Sequence, residues 1–581
     1  MVDQAHPHKI TVSEVYGYLK LILAPESKFY TLAIIYGIGI SLLSLALPIA
    51  VQMVVNTVAN TGLTTPLLVL SLSLFGLLLT AAILNALRIH LMDIFGRRFY
   101  ARMMSEISLR SIYALNPFFH DYQKGALFNR YFDILIVIRT MPSILVGGFT
   151  IVLQAIAGFI LVSLYHPMLF AFVLVVVGLL YVIWAVWGHR AILSAVELSH
   201  KKHAAAAWVD GLGASNGFFK SERHIAEALD RTEEVTHEYM VKYEKHFRHY
   251  FGQTLSLLLL YAAGSAVLLG LGGWLVIQGQ LSLGQLVAAE LVLSATFFGL
   301  SQLGQYIEQF YEMCAAAEEL CMFYDVEQAE AADGEKRIIN NSELTFVNAR
   351  GVARNHIATL NFTIPNNALV LGAAETHGVQ RELTDFLKRH NKPISGYITL
   401  GGQDLLGIRV HEVRQHIIVL DRPNLLEMTI RDYLNLSGEA SPERIIEVLS
   451  IVDLESTISE LDDGLDTRIA ATGWPLTITE AMQLKLASSI IADPVVLVLG
   501  QLFDTIADDV MRRSFTALQE DRETTIIYFS NRPRALDFDH YLYLGNTNQT
   551  MYPTFEKLCE AAVGEPCTSF TELGRQAAEK I

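Results

Sequence analysis

The sequence is short of charge: only 18% of its 581 residues are Asp, Glu, Lys or Arg, against 52% hydrophobic. A chain of this length and composition needs two or more domains, at least one of them in a membrane. Basic residues are the scarcer charge, leaving a formal net charge of −16, and they form no stripe. That excludes a nucleic-acid binder, because phosphate neutralisation needs Lys and Arg clustered on one face. Cysteine is nearly absent. The four present, Cys314, Cys321, Cys559 and Cys567, show no CxxC or Cys/His spacing that would hold zinc, so a reduced setting and no metal site are expected. No signal peptide is expected here, since residues 1–28 are polar and carry several charges, with no apolar stretch in the first few positions.

What is present is a set of long apolar runs, all before about Leu303. Crossing about 30 Å of hydrocarbon takes roughly 20 residues of helix, the form that satisfies its own backbone polar groups. Six stretches qualify: 29–54, 66–87, 144–164, 169–187, 255–277 and 283–303. Eight Lys or Arg lie from Arg88 to Arg139, nine from Arg190 to Arg248, and none in the three short connections. Both long connections are therefore expected in the cytoplasm. Their helical periodicity predicts two helices each, leaving the membrane and returning, with tips near 116–125 and 212–220. Pro117 and Phe118 mark the first tip, Gly217 and Phe218 the second. Such arms suit a lever pushed from outside the membrane; the alternative is an ordinary pair of amphipathic helices.

Glu290 falls inside the sixth run, where an ionised carboxylate facing lipid costs about 2.5–3.5 kcal/mol or more. It is expected to face a cavity or a partner, with Gln154, Gln302, Gln305 and Glu308 as further candidates for a polar path. Hydrogen bonding between helices is the other reading.

From Glu343 onward, short β-rich runs at 344–347, 368–371, 417–420, 495–499 and 525–529 alternate with helical segments. That predicts an α/β domain with buried strands. The expected boundaries are an N-terminal segment 1–28, a six-helix membrane domain 29–325, a linker 326–342, an α/β domain 343–562 and a tail 563–581.

Several of these segments resemble one family. LNPFF at 115–119, followed by GALFNR at 125–130 and Asp133, looks like the first coupling-helix region of ABC exporters. GGWLVIQGQLSLGQL at 272–286 is similar to the loop between spans five and six in type I secretion and peptide or bacteriocin exporters. IRDY at 430–433, LDDGLDTR at 461–468 and ADP at 492–494 match three landmarks of the ABC ATPase domain, in order. The resemblance implies a half-transporter in a bacterial inner membrane, with both termini and the ATPase-like domain cytoplasmic. The peptidase-like domain that often precedes the spans in that branch is not expected, so leader-peptide cleavage is not either.

The same alignment implies a degenerate nucleotide site. A phosphate loop needs glycine amides, a Lys and a Ser or Thr for Mg²⁺. Here GAAETHGVQ at 372–380 keeps Gly372 and has Gly378 or Val379 where the Lys belongs, with Glu375 adding negative charge. The Q-loop position reads Asp421, and the signature loop reads Thr477, Ile478, Thr479 and Glu480. Gly500 and Gln501 stand in place of the Asp and Glu that follow the second nucleotide-binding strand, and Asn531 or Ser530 in place of the switch His. A glutamine is no general base. Asp504, Asp508 and Asp509 read as a solvated helix start. The expectation is a pseudo-ATPase, not an enzyme, binding neither ATP nor Mg²⁺. It would pair with a second half-transporter, and an intact ABC subunit and a membrane-fusion adaptor are implied partners. The alternative is an ATP-independent scaffold that dimerises through the degenerate domain.

Overall fold

The computed structural model describes residues 10–60, 64–115, 125–329, 339, 341–353, 356–521, 523–530, 536–546 and 548–562. The chain divides into two compact units between Gln328 and Ala329.

The first unit is helical. A short helix, α1 (Val12–Leu23), opens it with a capping box in which Thr11 and Glu14 satisfy each other's backbone amides. It buries Val15, Ile22 and Leu23, and Glu26 just after it accepts two bonds of 2.8 Å from the Arg102 guanidinium. The segment expected to be merely polar is thus clamped to the bundle. The first apolar run forms two helices, α2 (Ser27–Ser44) and α3 (Ala46–Asn60). Pro48 lacks an amide donor and its ring crowds the carbonyl of Ser44, so an unbroken helix across 29–54 is not formed.

The remaining helices are α4 (Thr64–Ile112), α5 (Asp133–Ser143), α6 (Phe149–Ser163), α7 (Pro167–Ile183), α8 (His189–Ala214), α9 (Glu222–Ile277) and α10 (Leu283–Cys321). Pro142 inside α5 is followed by a π-helical turn over Ile144–Gly148, and a second such turn, Trp184–Gly188, joins α7 to α8. Among the described residues, six helical stretches are long and apolar enough to cross a membrane. At 1.5 Å per residue, α4 reaches about 74 Å and α9 about 84 Å, more than twice the hydrocarbon thickness. The long connections are therefore continuations of the spanning helices, as the periodicity predicts.

Between helices in lipid, close packing replaces the hydrophobic drive, so small residues mark the contacts. A Cβ at Gly147 would lie 2.4 Å from the Tyr306 ring, one at Gly264 2.6 Å from Phe297, and one at Gly158 2.8 Å from Thr296. All three windows receive side chains of α10.

The second unit is α/β. A four-stranded antiparallel sheet runs in the order β2-β1-β4-β5, built from β1 (Leu344–Ala353), β2 (His356–Ile364), β4 (Ser395–Leu400) and β5 (Gln403–Asp404). The six-stranded sheet is ordered β12-β11-β3-β10-β9-β6, from β3 (Leu369–Ala374), β6 (Ile417–Leu420), β9 (Val496–Leu499), β10 (Thr525–Phe529), β11 (His540–Leu544) and β12 (Gln549–Tyr552). It is parallel except for β12. A two-residue pair, β7 (Met428–Thr429) with β8 (Arg468–Ile469), completes the strands. Strands β3, β9 and β10 are buried along their whole length, which explains their continuous apolar runs. Helices α11 (His377–Leu387), α12 (Val410–His416), α13 (Ile430–Asn435), α14 (Pro442–Ile451), α15 (Glu455–Glu460), α16 (Ile478–Ala492), α17 (Asp508–Asp521) and α18 (Phe555–Ala562) make up the rest.

Two glycines of one helix test the packing argument. Gly264→Ala should lower the stability of the detergent-solubilised protein by about 1–3 kcal/mol, since its Cβ meets Phe297. Gly270→Ala, with nothing within 4 Å of its Cβ, should leave thermal unfolding unchanged or slightly raised.

Candidate functional site

In the second unit, the turn from β3 into α11 is the place where a phosphate loop would lie. Strand β3 continues in register with β11 as far as Ala374, and the Glu375 amide donates to the Leu544 carbonyl. The Glu375 carboxylate accepts from the Asn546 amide at 2.8 Å, so it is held at the head of the turn. Thr376 caps α11 by accepting from the Val379 amide. Gly372 packs against Phe529, whose ring would lie 2.6 Å from a Cβ there. Gly378 is buried in the first turn of α11. In this strand-to-helix turn the amides of Glu375, Val379 and Gln380 have partners within the chain.

Helix α16 carries the signature-loop residues and shows the same arrangement. Thr477 is its N-cap; the Glu480 amide donates to the Thr477 hydroxyl, and the Glu480 carboxylate accepts from the Thr477 amide at 2.7 Å. The positive end of the helix dipole is met by its own glutamate. Ile478 stands exposed at the first helical position, and Thr479 follows it.

The two strand ends between these helices are also closed. Gln501, directly after Gly500 at the end of β9, exchanges two amide hydrogen bonds with Gln380 of α11, at 3.2 and 2.7 Å. The Gly500 amide donates to the Leu420 carbonyl, and a Cβ at Gly500 would lie 3.4 Å from the Asp421 Cα. Two lysines that the motifs do not reveal lie near Asp421. Burial lowers Lys388 and brings Lys485 down to about 8, with the Asp421 charge opposing the shift in both. The Lys485 ammonium donates to the Arg422 carbonyl at 2.5 Å. Asp504 differs from its reading as a solvated helix start: it accepts from the Tyr528 hydroxyl at 2.6 Å and the Ser530 hydroxyl at 2.7 Å. Asp508 and Asp509 do open α17. Asn531 lies outside the described residues.

In the helical unit, Gln154 lines a cavity of about 360 Å³ with Pro48, Ile151, Leu291, Thr296 and Gly299. Glu290 is not among its lining residues. One Glu290 oxygen accepts from Ser294 at 2.8 Å, and the other is buried without a hydrogen-bond partner. Gln302 is exposed, so the structure does not gather these three into one path. Gly217 and Phe218 form a short 3₁₀ turn, Asn216–Phe218, between α8 and α9, with Phe218 75% exposed. Pro117 and Phe118 lie outside the described residues. The residue that sequence reasoning passes over is Arg88. It is 2% exposed, and its guanidinium donates to Thr150, Asn85 and the Val146 carbonyl.

An exporter-type helical bundle followed by an ABC ATPase-like α/β unit is the class this architecture defines. Residues 30–208 match the family model for the ABC transporter transmembrane region. An ABC multidrug transporter of Aspergillus fumigatus is 25% identical over 560 residues, covering 90% of this chain and 68% of its own length. A multidrug resistance ABC transporter ATP-binding and permease protein of Lactococcus lactis subsp. cremoris is 21% identical, over 45% of this chain and 46% of its own length. A solved bacterial Atm1-family ABC exporter with ATP bound superposes with a TM-score of 0.78 at 17% identity, covering 96% of this chain and 98% of that one. The chain thus has the fold of an ABC exporter, its residues 30–208 match an ABC transporter transmembrane region, and its relatives are ABC transporters.

One buried group of the α/β unit yields a pH prediction. Glu382 of α11 is buried, and desolvation, then Asp385, raise its carboxyl from 4.5 to about 7. A raised carboxyl stabilises the fold while protonated. That contribution is full below pH 4.5 and lost as pH rises to about 7. Hydrogen exchange of α11 in the whole protein should therefore speed up roughly tenfold or more between pH 5 and 8 beyond its intrinsic pH dependence, and Glu382→Gln should flatten that excess.

Proposed function

We propose that this chain is a non-catalytic, pseudo-ATPase subunit of a membrane export assembly for peptides, proteins or other bulky substrates, powered by another ABC subunit. The observation that carries the proposal is that several groups placed to meet a nucleotide are instead paired with one another. Phosphate binding at a helix N-terminus needs free amides and an uncompensated dipole. The N-termini of α11 and α16 are each capped by their own residues. The amides of Gln380 and Gln501 close on one another where Mg²⁺ coordination and water activation would take place. Loss of one such group slows turnover; loss of all of them leaves no stabilisation for the transferring phosphoryl group.

ABC exporters build each ATP site from the phosphate loop of one half and the signature loop of the other. In this chain both are replaced, so pairing with one intact half would leave no complete site. The energy must then come from further subunits, with this chain supplying spans and a docking surface. In this reading the long helix extensions, the 3₁₀ turn at Phe218 and the α/β unit face the cytoplasm of a bacterial inner membrane.

Two measurements test the proposal. The purified protein should show no saturable Mg-ATP binding below ~1 mM, equivalent to less than about 4 kcal/mol of binding free energy, and no turnover above background. Gentle extraction at the native level should recover an ABC subunit with an intact phosphate loop in stoichiometric amount. Tight nucleotide binding would sink the pseudo-ATPase assignment. Recovery as a lone homodimer would leave an ATP-independent scaffold instead.

A further inference from the structure

Outside the apolar stretches, where α5, α8 and α10 converge, ionisable side chains are packed unusually deep. Asp133 opens α5, Lys202 and His203 lie on α8, and Glu318 and Glu319 sit in the last turn of α10. Asp133, His203, Glu318 and Glu319 are 1%, 4%, 4% and 0% exposed. His200, one turn before His203, is the partly exposed member, with 36% of its side chain accessible.

The partners of these groups can be followed atom by atom. The Asp133 oxygens are taken by Lys202 at 2.8 Å and His203 Nε2 at 2.6 Å. Glu319 Oε2 receives the Arg130 guanidinium. Both Glu318 oxygens lie 3.0–3.1 Å from His200 Nε2. A single ring nitrogen thus faces a whole carboxylate. Glu319 Oε1 is left over. It is buried with no hydrogen-bond partner, 4.0 Å from His200 Nε2 and 4.0 Å from His203 Nε2. An unpartnered buried carboxylate oxygen is costly, and this one points into a space bounded by nitrogen and oxygen donors.

We propose that His200, Glu318 and Glu319 bind a single divalent transition-metal ion of the zinc class. Their ligand atoms lie within 4.8 Å of one another. Zinc bonds of about 2.0–2.2 Å in tetrahedral geometry put ligand atoms roughly 3.3–3.6 Å apart, so small rotamer adjustments close the set. One imidazole with two carboxylates, and no thiolate, selects zinc-like ions over the oxygen-only preference of Mg²⁺ or Ca²⁺. Arg130 on the far oxygen of Glu319 supplies the outer contact that orients a ligand. The exposed edge of His200 gives the ion a way in, and a fourth position remains for water. The bound ion would staple α8 to α10. The sequence offers no hint of the site, since His200 and Glu318 are 118 residues apart and no short motif joins them.

The experiment uses the full chain, purified without a polyhistidine tag, stripped with a chelator and gel-filtered in detergent. On titration with Zn²⁺, elemental analysis should find one ion per chain, and Co²⁺ should give a visible ligand-field band that Zn²⁺ abolishes. His200→Ala and Glu318→Gln should each weaken Zn²⁺ binding by more than the roughly 10–100-fold typical of losing an outer-sphere partner. His237→Ala, on an exposed position of α9, should have no effect. Elution volume and thermal unfolding report whether each variant is folded. Should Glu318→Gln not fold, the half-exposed His200 variant and the Co²⁺ band decide alone. Absence of stoichiometric metal, or binding unchanged in His200→Ala, would overturn the site and leave a purely proton-balanced ion-pair network.

Discussion

The helical unit depends on how closely its helices can approach α10. Lipid offers no hydrophobic reward for bringing apolar helices together, so the bundle is held by contact and by the few polar groups it encloses. Helix α10 touches α1, α3, α5, α6, α8 and α9. Its side chains Thr296, Phe297 and Tyr306 enter spaces that exist only because Gly158, Gly264, Gly147 and Gly148 have no Cβ. The same constraint governs the enclosed charge. Arg88 lies among helices with neutral acceptors only, two side-chain oxygens and the Val146 carbonyl. Because α5 passes into a π-helical turn at Ile144–Gly148, that carbonyl is available to a side chain as well as to the helix ladder.

In the α/β unit, the buried strands and the turns that connect them are under different constraints. Strands buried on both faces tolerate few changes, because any polar substitution there would need a partner. Turns between strand and helix are under no such restriction, and their residues are free to satisfy one another. Glu375 with Asn546, Thr477 with Glu480, and Gln380 with Gln501 are all local solutions of this kind. The two lysines near Asp421 follow the same logic, since Lys485 is directed to the Arg422 carbonyl.

Much of this was legible in the residues. Apolar length alone identified the six spanning stretches, and the buried strands β3, β9 and β10 appear as apolar runs because both their faces are covered. Strand β12 is only half-buried and carries no such signal. The break between α2 and α3 did have a signal, Pro48, hidden inside an otherwise continuous apolar run. Arg88 was counted as a loop charge because it is the first charge after such a run; only packing against α6 and the turn before it reveals it as enclosed. At the strand ends, residue identity showed which groups were missing. It could not show that Gln380 and Gln501 would bond, since 121 positions separate them.

Helix α9 runs from Glu222 to Ile277 without a proline or a break. A rod of about 84 Å responds to a push at one end as a whole, with little lost to bending at any one joint. Gly252, part-way along, lies against Trp187, whose ring would be 2.8 Å from a Cβ there, which gives the rod a natural fulcrum. Tilting about that point by only one or two degrees displaces the end at Glu222 by on the order of 1 Å. Motion passed along such a rod needs no nucleotide in the chain that carries it, only a force applied to its tip.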